Sequence, residues 1–195
     1  AKSGANGVRL VVQVTNDLGF VLVQQGKYGD AERLLRSALQ TGESNFGPDD
    51  PVIARSLNDI ATSVGRQGRH AEAEALFRRA VVMRETTLGI EHRDTAQSLN
   101  DIGAMLHFQG RIAEAESYYQ RALTVREKAL DSNDPDIAET LKNLGVTRLR
   151  QGKTADAEAL FRRALAIRQT AFGIEHPTTA NSMHDVAVVL HGQGK

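Results

Sequence analysis

The residues of this 195-residue chain that could do chemistry are six histidines, twenty-four acidic side chains and twenty-four basic ones. There is no cysteine, which removes disulfides, thiolate metal sites and a thiol nucleophile. His184 and His191 stand seven positions apart in a stretch of helical pattern, about 10 Å in rise, too far to share one ion. His92 and His176 lie in equivalent connectors 84 residues apart. No His-Glu-x-x-His, phosphate-binding loop or Gly-x-Ser-x-Gly occurs. No metal, no cofactor and no enzymatic activity are therefore expected. Glu72, Glu74, Glu114 and Glu116 recur on a period and read as a solvated outer face.

The balance of acid and base gives a formal net charge of zero. That argues against broad binding to nucleic acid or to an anionic membrane. With 41% hydrophobic and 25% charged residues, the composition is that of a folded domain. No run approaches the roughly 20 apolar residues that span a bilayer. The small, polar opening Ala1–Gly7 has no signal-peptide pattern. Together with the missing cysteines, this leads to the expectation of a cytoplasmic chain. The start at Ala and the stop after Gly-Lys suggest an excised fragment.

What must position any functional side chain is a repeat. Ala73-Glu74-Ala75-Leu76-Phe77-Arg78-Arg79-Ala80 recurs letter for letter at Ala157 to Ala164, two units of 42 residues away. A Gln-Gly pair ends a segment at Gly26, Gly68, Gly110, Gly152 and Gly194 without slippage. Each unit reads as two amphipathic helices, in one copy about 52–67 and 70–88. Gly68 stops the first helix, and Pro51, Pro135 and Pro177 can open first helices. Small residues mark close helix approaches: Gly19, Ala61, Gly103, Gly145 and Ala187 on first helices, and Ala31, Ala73, Ala115 and Ala157 with Ala38, Ala80, Ala122 and Ala164 on second helices. Leu35, Phe77, Tyr119 and Phe161 fill the complementary holes. All of these positions read as core. The count is nine helices, with a last one, about 178–193, that lacks a partner.

The small-residue triplet, the bulky residue between and the turn glycine resemble the tetratricopeptide repeat. The 42-residue period resembles the long-repeat variety of kinesin light chains and of many bacterial repeat proteins. Connectors such as Phe46-Gly47-Pro48-Asp49-Asp50-Pro51 and Phe172-Gly173-Ile174-Glu175-His176-Pro177 carry the likeness, as do Leu57-Asn58-Asp59-Ile60-Ala61 and Leu99-Asn100-Asp101-Ile102-Gly103. Six lysines against eighteen arginines hint at a GC-rich bacterial source. The resemblance implies an all-α, right-handed superhelical solenoid of helix-turn-helix repeats. Its expected limits are a flexible segment 1–7 and an array 8–195, with repeats 8–50, 51–92, 93–134, 135–176 and a half repeat 177–195.

It also implies that first helices line a concave groove. By resemblance the groove residues are Asn16 and Phe20, then Arg55, Asn58, Thr62 and Arg66, then Gln97, Asn100 and His107. The later copies add Glu139, Lys142, Asn143 and Arg150, and Asn181, His184 and His191. Asn16, Asn58 and Asn100 would form a ladder able to hold a peptide backbone, because an amide both donates and accepts; the alternative is that they tie neighbouring helices together. From Lys142 onward the groove turns more positive, which suits an acidic partner segment with an apolar anchor. Asp59, Asp101 and Asp185 weaken that preference, and no full carboxylate clamp is present. The expected function is a protein–protein interaction scaffold that holds a partner's peptide segment in the groove. The alternative is a regulatory or oligomerisation arm of a larger signalling, protease or nucleotide-hydrolysing protein. Self-association through Val186, Ala187, Val189 and Leu190 of the uncapped C-terminal helix is a further expectation.

Overall fold

The computed structural model describes residues 2–47 and 49–194, with side chains from residue 6 onward. Among the described residues there are nine α-helices and no strand. In chain order they are α1 (Lys2–Gln24), α2 (Tyr28–Phe46), α3 (Pro51–Arg66), α4 (His70–Thr87), α5 (Arg93–Phe108), α6 (Ile112–Ala129), α7 (Pro135–Arg150), α8 (Thr154–Phe172) and α9 (Pro177–Gly192). First helices carry odd numbers and second helices even ones. The ends of α3, α4 and α9 lie within one residue of the sequence reading. At the N-terminus the helix α1 begins at Lys2. No helix among the described residues is long and apolar enough to cross a membrane.

Local chemistry fixes the boundaries. Asp50 accepts a hydrogen bond from the Val52 amide (3.0 Å) and Asp134 from the Asp136 amide (2.9 Å), each just before a proline in the first turn. These side chains satisfy amides that no helical carbonyl can reach. His176 does the same through Nδ1 for the Thr178 amide (3.2 Å), and His92 for the Asp94 amide (3.1 Å). The recurrence of these two connector histidines is therefore a capping device. At the other end of α3, Gly68 has φ +85°. This left-handed residue lets the Arg69 amide reach the Val64 carbonyl (3.0 Å) and the Gly68 amide the Gly65 carbonyl (3.0 Å). The chain can then reverse directly into α4.

The chain divides into two compact units, Ala1–Met105 and Leu106–Lys195. In the N-terminal unit α1 pairs with α2, α3 with α4, and α2 also packs on α3. Its core joins Val12, Ala38, Val52, Ile53, Ala54, Leu57, Ala80 and Met83. In the C-terminal unit α7 pairs with α8, α6 packs on α7, and α8 on α9. Its core has two parts, one around Ile137, Ala138, Leu141, Ala164 and Ile167, the other around Ala157, Phe161, Val186 and Val189. The small-for-large pairing is real in both units: a Cβ on Gly145 would lie 2.5 Å from the Phe161 ring, and one on Gly19 would overlap Leu35.

Polar ties link successive repeats within each unit. Glu32 on α2 receives Gln67 Nε2 (2.9 Å) and pairs with Arg36 (2.9 Å) and Arg69. Glu116 on α6 receives Gln151 Nε2 (2.5 Å) and Arg148 (2.6 Å). The glutamines Gln67 and Gln151 of two Gln-Gly pairs thus reach back to the preceding second helix. Glu116 is mostly buried, which corrects the expectation of a solvated face for that position. Glu72 and Glu114 remain substantially exposed. Hydrogen bonds from Arg69 hold the Glu32 carboxyl down to about 2 against the opposing effect of burial, and Arg36 and Gln67 add to the shift. A depressed carboxylate stabilises the fold above its unfolded value of 4.5, and that contribution is lost as pH falls through about 2. Glu32→Gln should therefore lower the melting temperature at pH 7 and flatten the acid limb between about pH 4.5 and 2; an unchanged acid limb would contradict this role.

Candidate functional site

In the N-terminal unit the first helices α1, α3 and α5 are joined by side chains that reach from one helix to the next. Asn16 is wholly enclosed (0% exposed) and accepts from Ser56 Oγ (2.8 Å). Asn58 is 6% exposed, accepts from Ser98 Oγ (3.1 Å) and donates to Asp101 Oδ2 (2.7 Å). Asn100 is 2% exposed. Asn16 and Asn58 therefore lie inside the seams between successive first helices; the Asn58 amide is engaged at both its oxygen and its nitrogen, whereas Asn16 Nδ2 is enclosed without a hydrogen-bond partner. The 42-residue register gives each asparagine the serine of the next repeat as its partner at both bonds shown.

The side chains around that row carry charge. Arg55 is half-exposed and pairs with Asp17 (2.6 Å), with Asp59 at 3.8 Å. Gln97 donates to Asp101 Oδ1 (2.8 Å). Thr62 turns its hydroxyl back to the Asn58 carbonyl (3.1 Å). Phe20 and Arg66 are exposed. Asp59 is the most perturbed group of the unit. Burial raises its carboxyl to about 7, with neighbouring Asp101 and Asp17 adding to the rise and Arg55 and Arg84 opposing it. Its Oδ2 is enclosed and has no hydrogen-bond donor.

In the C-terminal unit the corresponding surface is basic. Arg150, His184, His191 and Asn181 are exposed, and Lys142 and Asn143 are half-buried on α7. None of Lys142, Arg150, His184 and His191 forms an ion pair among the described residues. His107 sits against Thr147 Oγ1 (3.2 Å), and burial, with Arg150 nearby, lowers its pKa and favours the neutral ring. Glu139 lies 3.7 Å from Arg126. Among the described residues no group of three or more histidine, aspartate or glutamate side chains is placed to hold a metal ion.

A row of buried arginines was not singled out in the sequence. Arg84, Arg126 and Arg168 occupy one repeat position on α4, α6 and α8, and all are at most 7% exposed. Arg84 donates to Ser98 Oγ (2.7 Å) and the Asp94 carbonyl (2.6 Å). Arg126 donates to Thr140 Oγ1 (2.5 Å) and the Asp136 carbonyl (2.7 Å), and Arg168 to Ser182 Oγ (2.7 Å). Each ties a second helix to the first turns of the following first helix. The readable signal was an arginine on the core side of three amphipathic helices with a hydroxyl fourteen residues later. In the first copy Gly42 stands in its place, packed so closely that a Cβ would lie 2.8 Å from Ile53 Cδ1.

The uncapped last helix also differs from expectation. Val186 and Val189 are buried against α8 together with Ala157 and Phe161, while Ala180, Ala187 and Val188 are exposed and Leu190 is half-buried.

Solved structures with the same architecture include other helical repeat proteins. A kinesin light chain-like protein of Podosopora anserina with nearly identical TPR-like repeats superposes with a TM-score of 0.79 at 21% identity, over 95% of this chain and 88% of that one. BtubC (BKLC) of P. vanneervenii gives 0.83 at 23% identity, over 96% and 74%. PilF of Pseudomonas aeruginosa gives 0.71 at 22% identity, over 97% and 71%. At such identities the likeness concerns the fold. No protein with a curated description matches the chain. The tetratricopeptide repeat family model matches residues 10–86, 53–128, 94–170 and 136–195. Repeats of this kind generally mediate protein–protein interaction and are typically non-enzymatic. With helices recurring on a 42-residue register among the described residues and family matches running from residue 10 to 195, the chain belongs to the tetratricopeptide repeat family.

Proposed function

We propose that the first-helix face holds an extended or short helical segment of a partner protein, and that the C-terminal unit prefers an acidic segment with an apolar anchor. The observation that carries this reading is the set Lys142, Arg150, His184 and His191, basic side chains on α7 and α9 with no ion-pair partner among the described residues. Unpaired basic groups beside Asn143 and Asn181 offer charge-assisted and amide hydrogen bonds to carboxylates and to a peptide backbone. Exposed Val188 supplies apolar contact on the same helix. In the N-terminal unit Phe20, Arg55, Thr62, Arg66 and Gln97 present the face, while Asn16, Asn58 and Asp101 hold the helices in register behind it. Self-association through α9 would rest on Ala180, Ala187, Val188 and the half-buried Leu190, a small patch for a stable dimer. Light scattering should accordingly find no dimer that depends on these residues.

The test is fluorescence anisotropy with a labelled acidic peptide that carries one aromatic anchor. Binding should weaken with added salt, and Lys142→Glu with Arg150→Glu should reduce affinity by about tenfold or more. Equal affinity for the wild type and the double variant would remove the basis of the reading.

A further inference from the structure

A run of apolar side chains lies open on α1. Leu10, Val11, Val14, Leu18 and Val21 are 46–60% exposed. At ~100° per residue these five positions fall in an arc of about 100°, and they run for ~17 Å along the helix. Buried Val12, Asn16 and Gly19 occupy the opposite side. Five aliphatic side chains in one such stripe are the pattern of a helix face made to be covered.

The repeat says what covers such a face. In α3 the same positions are Val52, Ile53, Ser56, Ile60 and Ser63, all buried, and α3 packs on α2. In α7 they include Ile137, Thr140, Leu144 and Thr147, all buried, and α7 packs on α6. In α9 they include Thr179, Ser182, Val186 and Val189, all buried, and α9 packs on α8. At each of these copies the preceding second helix covers the face; on α3 and α7 the preceding first helix shares in it, as the Ser56–Asn16 and Thr147–His107 contacts show.

One position separates α1 from the rest. Ser98, Thr140 and Ser182 receive the buried arginines Arg84, Arg126 and Arg168. Their counterpart on α3 is Ser56, whose preceding second helix carries Gly42 instead of arginine, and the hydroxyl turns to Asn16. On α1 the counterpart is Val14, which has no hydroxyl to offer. An arginine arriving there would be desolvated against a methyl group and lose a hydrogen bond.

We infer that the outer face of α1 is a docking surface for an amphipathic helix in the register of a second helix, bearing a small or apolar residue where α4, α6 and α8 carry arginine. The chain itself supplies the probes. Residues 28–46 are a second helix with glycine at the deciding position, and residues 70–87 are one with arginine. Two labelled helical peptides of these sequences, stapled on their solvent faces, are titrated into the chain and followed by anisotropy, with light scattering on the chain alone. The 28–46 peptide should bind about tenfold or more tightly than the 70–87 peptide. Leu18→Glu should weaken that binding by about tenfold or more with unchanged circular dichroism and melting temperature, since Leu18 touches solvent in the chain alone. Val14→Ser should narrow the preference between the peptides. Failure of both peptides to bind, equal or reversed preference, insensitivity to Leu18→Glu, or a dimer of the chain alone that Leu18→Glu abolishes would each overturn the inference.

Discussion

Arg126→Ala should lower the stability of the C-terminal unit by about 3 kcal/mol or more, seen as an earlier urea midpoint. The guanidinium is 1% exposed and bridges α6 to the first turns of α7 through Thr140 Oγ1 and the Asp136 carbonyl. Truncation leaves a cavity the size of a long side chain and a carbonyl and a hydroxyl short of a donor. Lysine cannot span both acceptors with one point charge, so Arg126→Lys should recover only part of the loss. A combined Arg126→Met and Thr140→Val substitution should cost less than the sum of the two singles, because donor and acceptor leave together. The N-terminal unit shows that the junction can be built without the arginine: at Gly42 the helices close up, and Ile53 fills the space. A loss below about 1 kcal/mol for Arg126→Ala would mean that the bridge is incidental.

Asp59→Asn should stabilise the N-terminal unit by on the order of 1–3 kcal/mol at pH 8 and leave it almost unchanged near pH 4. In the folded chain burial, together with Asp101, lifts the Asp59 carboxyl to about 7, whereas the unfolded value is 3.8. Between these two values the unfolded chain releases a proton that the folded chain keeps, so stability falls as pH rises through that window and stays low above it. Asparagine imitates the neutral carboxyl and has nothing to titrate. The difference between variant and wild type should thus grow from about pH 4 to about pH 7. Urea denaturation at three pH values measures it. A difference that does not vary with pH would show that the Asp59 carboxylate is already accommodated.

Much of the fold was legible because punctuation and packing leave local marks. Pro51, Pro135 and Pro177 open helices, Gly68 closes one with a positive φ, and the Gly145–Phe161 pair needs a missing Cβ beside a ring. The orientation of a polar residue leaves no such mark. Asn58 could have faced a ligand or a neighbouring helix with the same letters around it; Ser98 and Asp101, 40 and 43 positions along the chain, decide that it faces the seam. The arginine row was hidden for the same reason, since Arg84 meets Ser98 only after the turn between α4 and α5 is formed. On α1 the letters were plainly apolar, yet only the burial of the equivalent positions on α3, α7 and α9 shows that this stripe is a vacant second-helix seat. Lys142, Arg150, His184 and His191 are visible in the sequence, but that these four make no ion pairs among the described residues is a property of the folded unit.

The central claim is that partner segments are held by first helices, and amide chemical-shift mapping with the acidic, aromatic-anchored peptide tests it most directly. The account predicts saturable shifts concentrated on α7 and α9, around Lys142, Asn143, Asn181, His184 and Val188, with little change along α6 and α8. Shifts confined to the second helices, or none at peptide concentrations that saturate the anisotropy signal, would contradict it.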